Sequence, residues 1–95
     1  MFQPGASLTF DNAKTTLNAG LQAIAEGQNE IDFSGLITVD SAAVATMLAW
    51  RRLAVARAVP LVFHHVPENL HSLISLYDVA ALVDADMVRN DLPHR

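Results

Sequence analysis

Asp40 and Ser41 stand side by side at the start of an apolar-periodic stretch, where a hydroxyl can do two kinds of work. As a nucleophile Ser41 needs a base and an oxyanion hole, and no G-x-S-x-G elbow surrounds it. As the opening of a helix, Asp40 or Ser41 can satisfy a backbone N–H that lacks an intrahelical partner. A phosphate added to Ser41 is electrostatically tolerated at such a helix end. Capping accounts for both residues, and Ala42 and Ala43 beside them are small enough for a partner to approach. His64 and His65, with His71 nearby, are the one cluster that resembles metal ligands. Adjacent strand residues point to opposite faces, so the two do not easily converge on one ion, and no H-E-x-x-H pattern is present. Surface or loop histidines are the expectation, and no metal or cofactor is anticipated. Trp50 and Tyr77 could stack on a base, but no phosphate-binding glycine motif accompanies them, so core or interface packing is expected. Arg51 and Arg52 read as a solvated helix face, and Asp84, Asp86 and Asp91 as a solvated tail.

Three helices and a few short strands must position these residues. A helical spacing of Ala13, Leu17, Leu21, Ile24 and Ala25 predicts a first helix over residues 11–26, capped by Asp11 and ended by Gly27. Glu30-Ile31-Asp32-Phe33 alternates, which predicts a short strand with Ile31 and Phe33 facing inward. Ser34-Gly35 turns the chain, and a second helix follows Asp40 to about Ala58 with Val44, Met47, Leu48 and Val55 as its buried stripe. Pro60 stops it, and Leu61-Val62-Phe63 reads as a strand buried on both faces. Pro67 opens a third helix with Leu70, Leu73, Ile74 and Tyr77 inward. A last strand is expected over Val79 to Val83. The core prediction is Ile31, Phe33, Leu48, Val62, Leu73 and Ile74.

The composition sets the scale. With 95 residues, size scaling buries roughly 64% of the unfolded surface, enough for one core and too little for two. An apolar share of 52% against a charged share of 17% argues for a globule rather than a disordered chain. The net charge of −4 disfavours nucleic acid, since only Arg51, Arg52 and Arg57 cluster. There is no cysteine, hence no disulfide, thiolate site or thiol nucleophile. The longest weakly charged run, Ile31 to Arg51, is interrupted by Asp32 and Asp40 and does not make a membrane span. Met1-Phe2-Gln3-Pro4 does not begin a secretory signal, so a soluble cytoplasmic domain is expected.

Ile31-Asp32-Phe33-Ser34-Gly35-Leu36, followed by Val39-Asp40-Ser41-Ala42-Ala43-Val44, resembles the STAS domain. That family includes anti-sigma factor antagonists and sulphate transporter tails, and carries an "I-D-L-S-x-L … V-D-S-x-G-L" stretch. Leu61-Val62-Phe63, Val66-Pro67-Glu68-Asn69-Leu70 and Leu73-Ile74-Ser75-Leu76-Tyr77-Asp78-Val79 are similar to its next strand and helix. The similarity is greatest to the lipid-asymmetry (Mla) subfamily, whose STAS subunit binds the ATPase of a phospholipid-transport ABC complex. Two departures stand out: the usual glycine is Ala43, and the leucine after it is Val44.

The resemblance implies an α/β, STAS-like mixed sheet of about four strands flanked by helices, over residues 1–83, with 84–95 as a polar tail. The first family strand is expected to be absent or supplied by another chain, because Pro4-Gly5 interrupts Met1 to Leu8. It also implies a non-catalytic interaction module. Ser41 would be the regulatory, phosphorylatable hydroxyl, and Asp40, Ser41, Ala42, Ala43, Val44 and Met47 the partner-docking patch. Its partner is expected to be an ABC-transporter ATPase, which would place it peripherally on the inner membrane. The alternatives are an anti-sigma antagonist phosphorylated by the kinase it binds, and a small hydrolase using Ser41. An uncovered sheet edge would further predict a homodimer formed by edge pairing or by exchange of the amino-terminal segment.

Overall fold

The computed structural model describes residues 1–77 and the backbone of 87–89. The chain runs through β1 (Ser7–Leu8), α1 (Ala13–Ala25), β2 (Glu30–Asp32), β3 (Thr38–Val39), α2 (Ser41–Ala56), β4 (Val62–Val66), α3 (Glu68–Leu76) and β5 (Met87–Arg89). This is the α/β fold that the order of elements and the STAS resemblance imply. The strands divide between two small parallel sheets, β1-β3 and β2-β4-β5. Ser7 pairs with Thr38, and Ile31 with Phe63. The strand expected over Val79 to Val83 lies outside the described residues, as do Asp84, Asp86 and Asp91. Within the stretch read as a tail, β5 pairs with β4.

The amino-terminal segment contributes more than its length suggests. Phe2 makes a parallel bridge to Ile31, its N–H donating to Glu30 O at 3.1 Å and its carbonyl accepting from Asp32 N at 2.8 Å. The edge of β2 that the sequence left open is therefore occupied within the chain. Gly5, at φ 102°, then bends the backbone so that Ala6 and β1 meet β3 instead. Pro4-Gly5 interrupts one pairing and starts another.

Trp50 organises the core. Its indole is fully buried, stacks on Phe33 at 6.4 Å and meets Phe2 in a T-shaped contact at 5.7 Å; Phe33 stacks on Phe63. The ring lies over Gly20 of α1, where any Cβ would overlap it. Its Nε1–H donates to Leu17 O at 3.0 Å, which satisfies the one polar atom the ring takes inside.

The second helix faces the core through Ala43, Val44, Met47, Trp50 and Ala54, a seam repeating about every 3.5 residues. Val55, expected on that seam, is 67% exposed, and Leu48 is half-buried. The volume of Trp50 sets the helix rotation and turns both away. Tyr77 is likewise 52% exposed at the end of α3, where the helix leaves the core. Ile31, Phe33 and Ile74 are buried as expected, whereas Val62 and Leu73 are half-buried. Asp11 is not a cap: α1 begins after Asn12, whose side chain serves the preceding loop.

Both long helices end in the same way. Gln28 N donates to Ala23 O and Gly27 N to Ile24 O, with Gly27 at φ 98°. Val59 N donates to Ala54 O and Ala58 N to Val55 O, with Ala58 at φ 57°. The paired bonds close a left-handed helix terminus, built once on glycine and once on alanine.

Candidate functional site

Asp40 resolves the choice of cap at the start of α2. Its Oδ1 accepts the Ala42 N–H at 2.8 Å, and its Oδ2 accepts the Phe10 N–H at 3.1 Å. One carboxylate thus starts the helix and ties the loop before α1 to it. Ser41 follows as the first helical residue, half-buried, and its hydroxyl makes no hydrogen bond among the described residues. It lines a shallow groove of about 330 Å³ with Val44, Ala45, Leu48 and Tyr77.

The rest of the expected docking patch faces inward. Ala43 and Met47 have no exposure, and Ala42 and Val44 are only 6% and 5% exposed. Ala43, Val44 and Met47 build the core, because they stand on the face that Trp50 turns toward the sheet, whereas Ala42 lines a groove beside Phe10. The departure from the family glycine at Ala43 therefore falls inside the protein. What faces solvent near Ser41 is Asp40, Ala45, Leu48 and Tyr77.

A second feature of this end had no signal in the sequence pattern. Residues 9–12 form a loop held by its own side chains and by β1: Thr9 N donates to Asn12 Oδ1, Asn12 Nδ2 to Ser7 O and Oγ, and Asp11 N to Thr9 Oγ1. At its tip Phe10 is 74% exposed. The loop borders a polar cleft of about 400 Å³ lined by Ser7, Thr9, Phe10, Asp11, Thr38 and Asp40. Only the fold brings Phe10 and Asp40 together.

The histidines do not converge. His65 Nδ1 lies 2.9 Å from Asp32 Oδ1, and His64 Nε2 lies 2.9 Å from Glu30 Oε1 at an angle too poor for a hydrogen bond. His65, at φ 57°, sits in the irregular stretch of β4 where pairing with β5 shifts register. No group of three metal-ligating side chains occurs among the described residues.

Asp32 is the better-made feature of that region. It is 8% exposed and accepts from Gln3 Nε2, Ser34 N and Ser34 Oγ, each at 3.0 Å, besides His65. Burial alone would raise its carboxyl, but the hydrogen bonds from Gln3, His65 and Ser34 outweigh it and draw the pKa down to about 2. The residue ties three segments together: the amino terminus, the end of β2 and β4. Trp50, being fully buried, offers no stacking face to a nucleotide. No helix among the described residues is long and apolar enough to cross a membrane.

The amino-acid sequence that folds in this way matches a family model. The model is described as "Mlab, STAS domain" and covers residues 5–84. The chain belongs to the STAS domain family. No curated protein and no solved structure matches it.

Proposed function

We propose that this chain is a non-catalytic accessory subunit that docks through the start of α2 on the ATPase subunit of a phospholipid-transport ABC system. The observation that carries the reading is the family match over residues 5–84, whose description names an Mla subunit. The site suits it. Ser41 stands half-buried beside a rigid cap, bordered by Leu48 and the exposed Tyr77, and so offers a small polar point on an apolar surface. A cytoplasmic location at the inner membrane follows from that partner.

The test is co-expression with the ABC ATPase encoded in the same genome, read by co-purification and calorimetry. A stoichiometric complex weakened about tenfold or more by Ser41→Glu is the expected result. No complex with that ATPase, under conditions where both proteins are folded, would refute the assignment. The Ser41 hydroxyl, which makes no hydrogen bond among the described residues, also supports a second reading as a phosphorylated switch in an anti-sigma antagonist. Mass spectrometry of the protein isolated from its own cells checks that reading, and a Ser41 that is never phosphorylated would exclude it.

A further inference from the structure

Phe10 is three-quarters exposed, yet its backbone is held on every side. The loop's side-chain bonds are joined by Asn12 N to Thr9 O at 3.1 Å and by the Phe10 N–H to Asp40 Oδ2. An aromatic ring presented by a preorganised loop loses little conformational freedom on association, and such residues dominate binding energy at protein interfaces.

Its two flanks differ in chemistry. On one side lies a largely apolar groove of about 280 Å³ lined by Ala13, Lys14, Leu17, Ala42, Ala45 and Thr46. That is just under the volume of about 300 Å³ at which small-molecule sites begin, and suits a side chain better. On the other side is the polar cleft, whose two charged members, Asp11 and Asp40, are both carboxylates. The Asp11 carboxylate has no hydrogen bond or ion pair among the described residues, and Asp40 keeps unused acceptor positions. A net charge of −4 further opposes an acidic partner or an anionic lipid surface.

We infer that Phe10 anchors a docking surface for a partner-protein segment carrying an apolar side chain beside an arginine or lysine. The apolar group packs against Phe10 and the alanine-floored groove, and the cation enters the cleft between Asp11 and Asp40. The inference rests on the reading of the protein as an interaction module, and widens the surface from Ser41 to the loop before α1.

The experiment uses a phage-displayed library of random dodecapeptides, panned on the full chain and counter-selected on Phe10→Ala. Phe10 is exposed, so that variant should melt with the parent, which circular dichroism verifies. The expected result is enrichment of sequences that place Arg or Lys next to Leu, Ile or Phe. A synthetic copy of an enriched peptide should lose about tenfold or more in affinity to Phe10→Ala. It should lose several-fold to Asp11→Asn, and bind more weakly as salt rises from about 50 to 500 mM.

No enrichment over the Phe10→Ala chain, or enrichment of acidic sequences, would overturn the inference. So would Phe10-dependent partition onto phosphatidylglycerol vesicles, which would make the ring a membrane contact. Peptides lost on Ser41→Glu but indifferent to Phe10→Ala would remove this surface while leaving an interaction module. An ATPase that does not bind, beside peptides that need Phe10, would remove the transporter assignment while leaving this surface.

Discussion

Asp40 carries two bonds that a pair of substitutions can separate. Asp40→Ala removes the cap on the Ala42 N–H, the charge beside the helix end and the acceptor for the Phe10 N–H. A lost cap costs about 1 kcal/mol and the charge at a helix start about 0.5 kcal/mol. The loop bond, being exposed, adds about 0.5–1 kcal/mol, for a total near 2 kcal/mol. Asp40→Asn behaves differently. Asparagine caps as well as aspartate, so its oxygen keeps the Ala42 bond, but its amide then meets the Phe10 N–H as donor against donor. This variant should lose only about 1 kcal/mol while freeing the loop. Urea denaturation measures the stabilities, and hydrogen exchange at the Phe10 amide reports the loop. The expected pattern is two graded stability losses, with Phe10 exchange accelerated in both variants. An asparagine variant as unstable as the alanine one, or a Phe10 amide exchanging at the parental rate in both, would refute the division of labour drawn from the geometry.

Other outcomes follow from the backbone and the buried carboxylate. Ala58 occupies a left-handed position that costs an ordinary residue about 1–2 kcal/mol, so Ala58→Gly should stabilise the protein by about 0.5–1 kcal/mol in chemical denaturation. Gly27→Ala in the matching turn should destabilise it by a similar amount, and a neutral result at both would show that neither terminus is under backbone constraint. Asp32 has a folded pKa of about 2, below its ordinary 3.8, so its contribution is complete above pH 4 and is lost as pH falls from about 4 toward 2. Asp32→Asn should flatten the acid limb of stability against pH, and an unchanged slope would show that the carboxylate's hydrogen bonds do not favour its charged form.

Much of the architecture is legible from local chemistry. Gly27 ends its helix through intrinsic backbone preference, whereas α2 closes on Ala58 before Pro60 is reached, and Ile31 and Phe33 both face inward as the pattern requires. Asp40 before Ser41 marks a helix start because a short acidic side chain reaches the first free N–H groups whatever the rest of the chain does. Periodicity is a weaker guide to which face a helix buries. In α2, Val55 and Leu48 are as apolar as Val44 and Met47, so no count of spacings ranks them. Trp50 breaks the tie, because its indole can be buried only where Gly20 leaves room and Leu17 O accepts its N–H.

The same division runs through the candidate site. From the sequence come the STAS pattern, the capped start of α2 and a serine in its first turn, because each depends on neighbours a few residues apart. Tertiary structure decides which of those residues a partner can reach, and withdraws Ala43, Val44 and Met47 into the core. It also brings Phe10 beside Asp40, and Gln3 and His65 to Asp32, across separations of about thirty residues. Hydrogen bonds of that reach leave no periodic trace, since nothing in the local chain constrains which distant backbone or side chain will meet the acceptor.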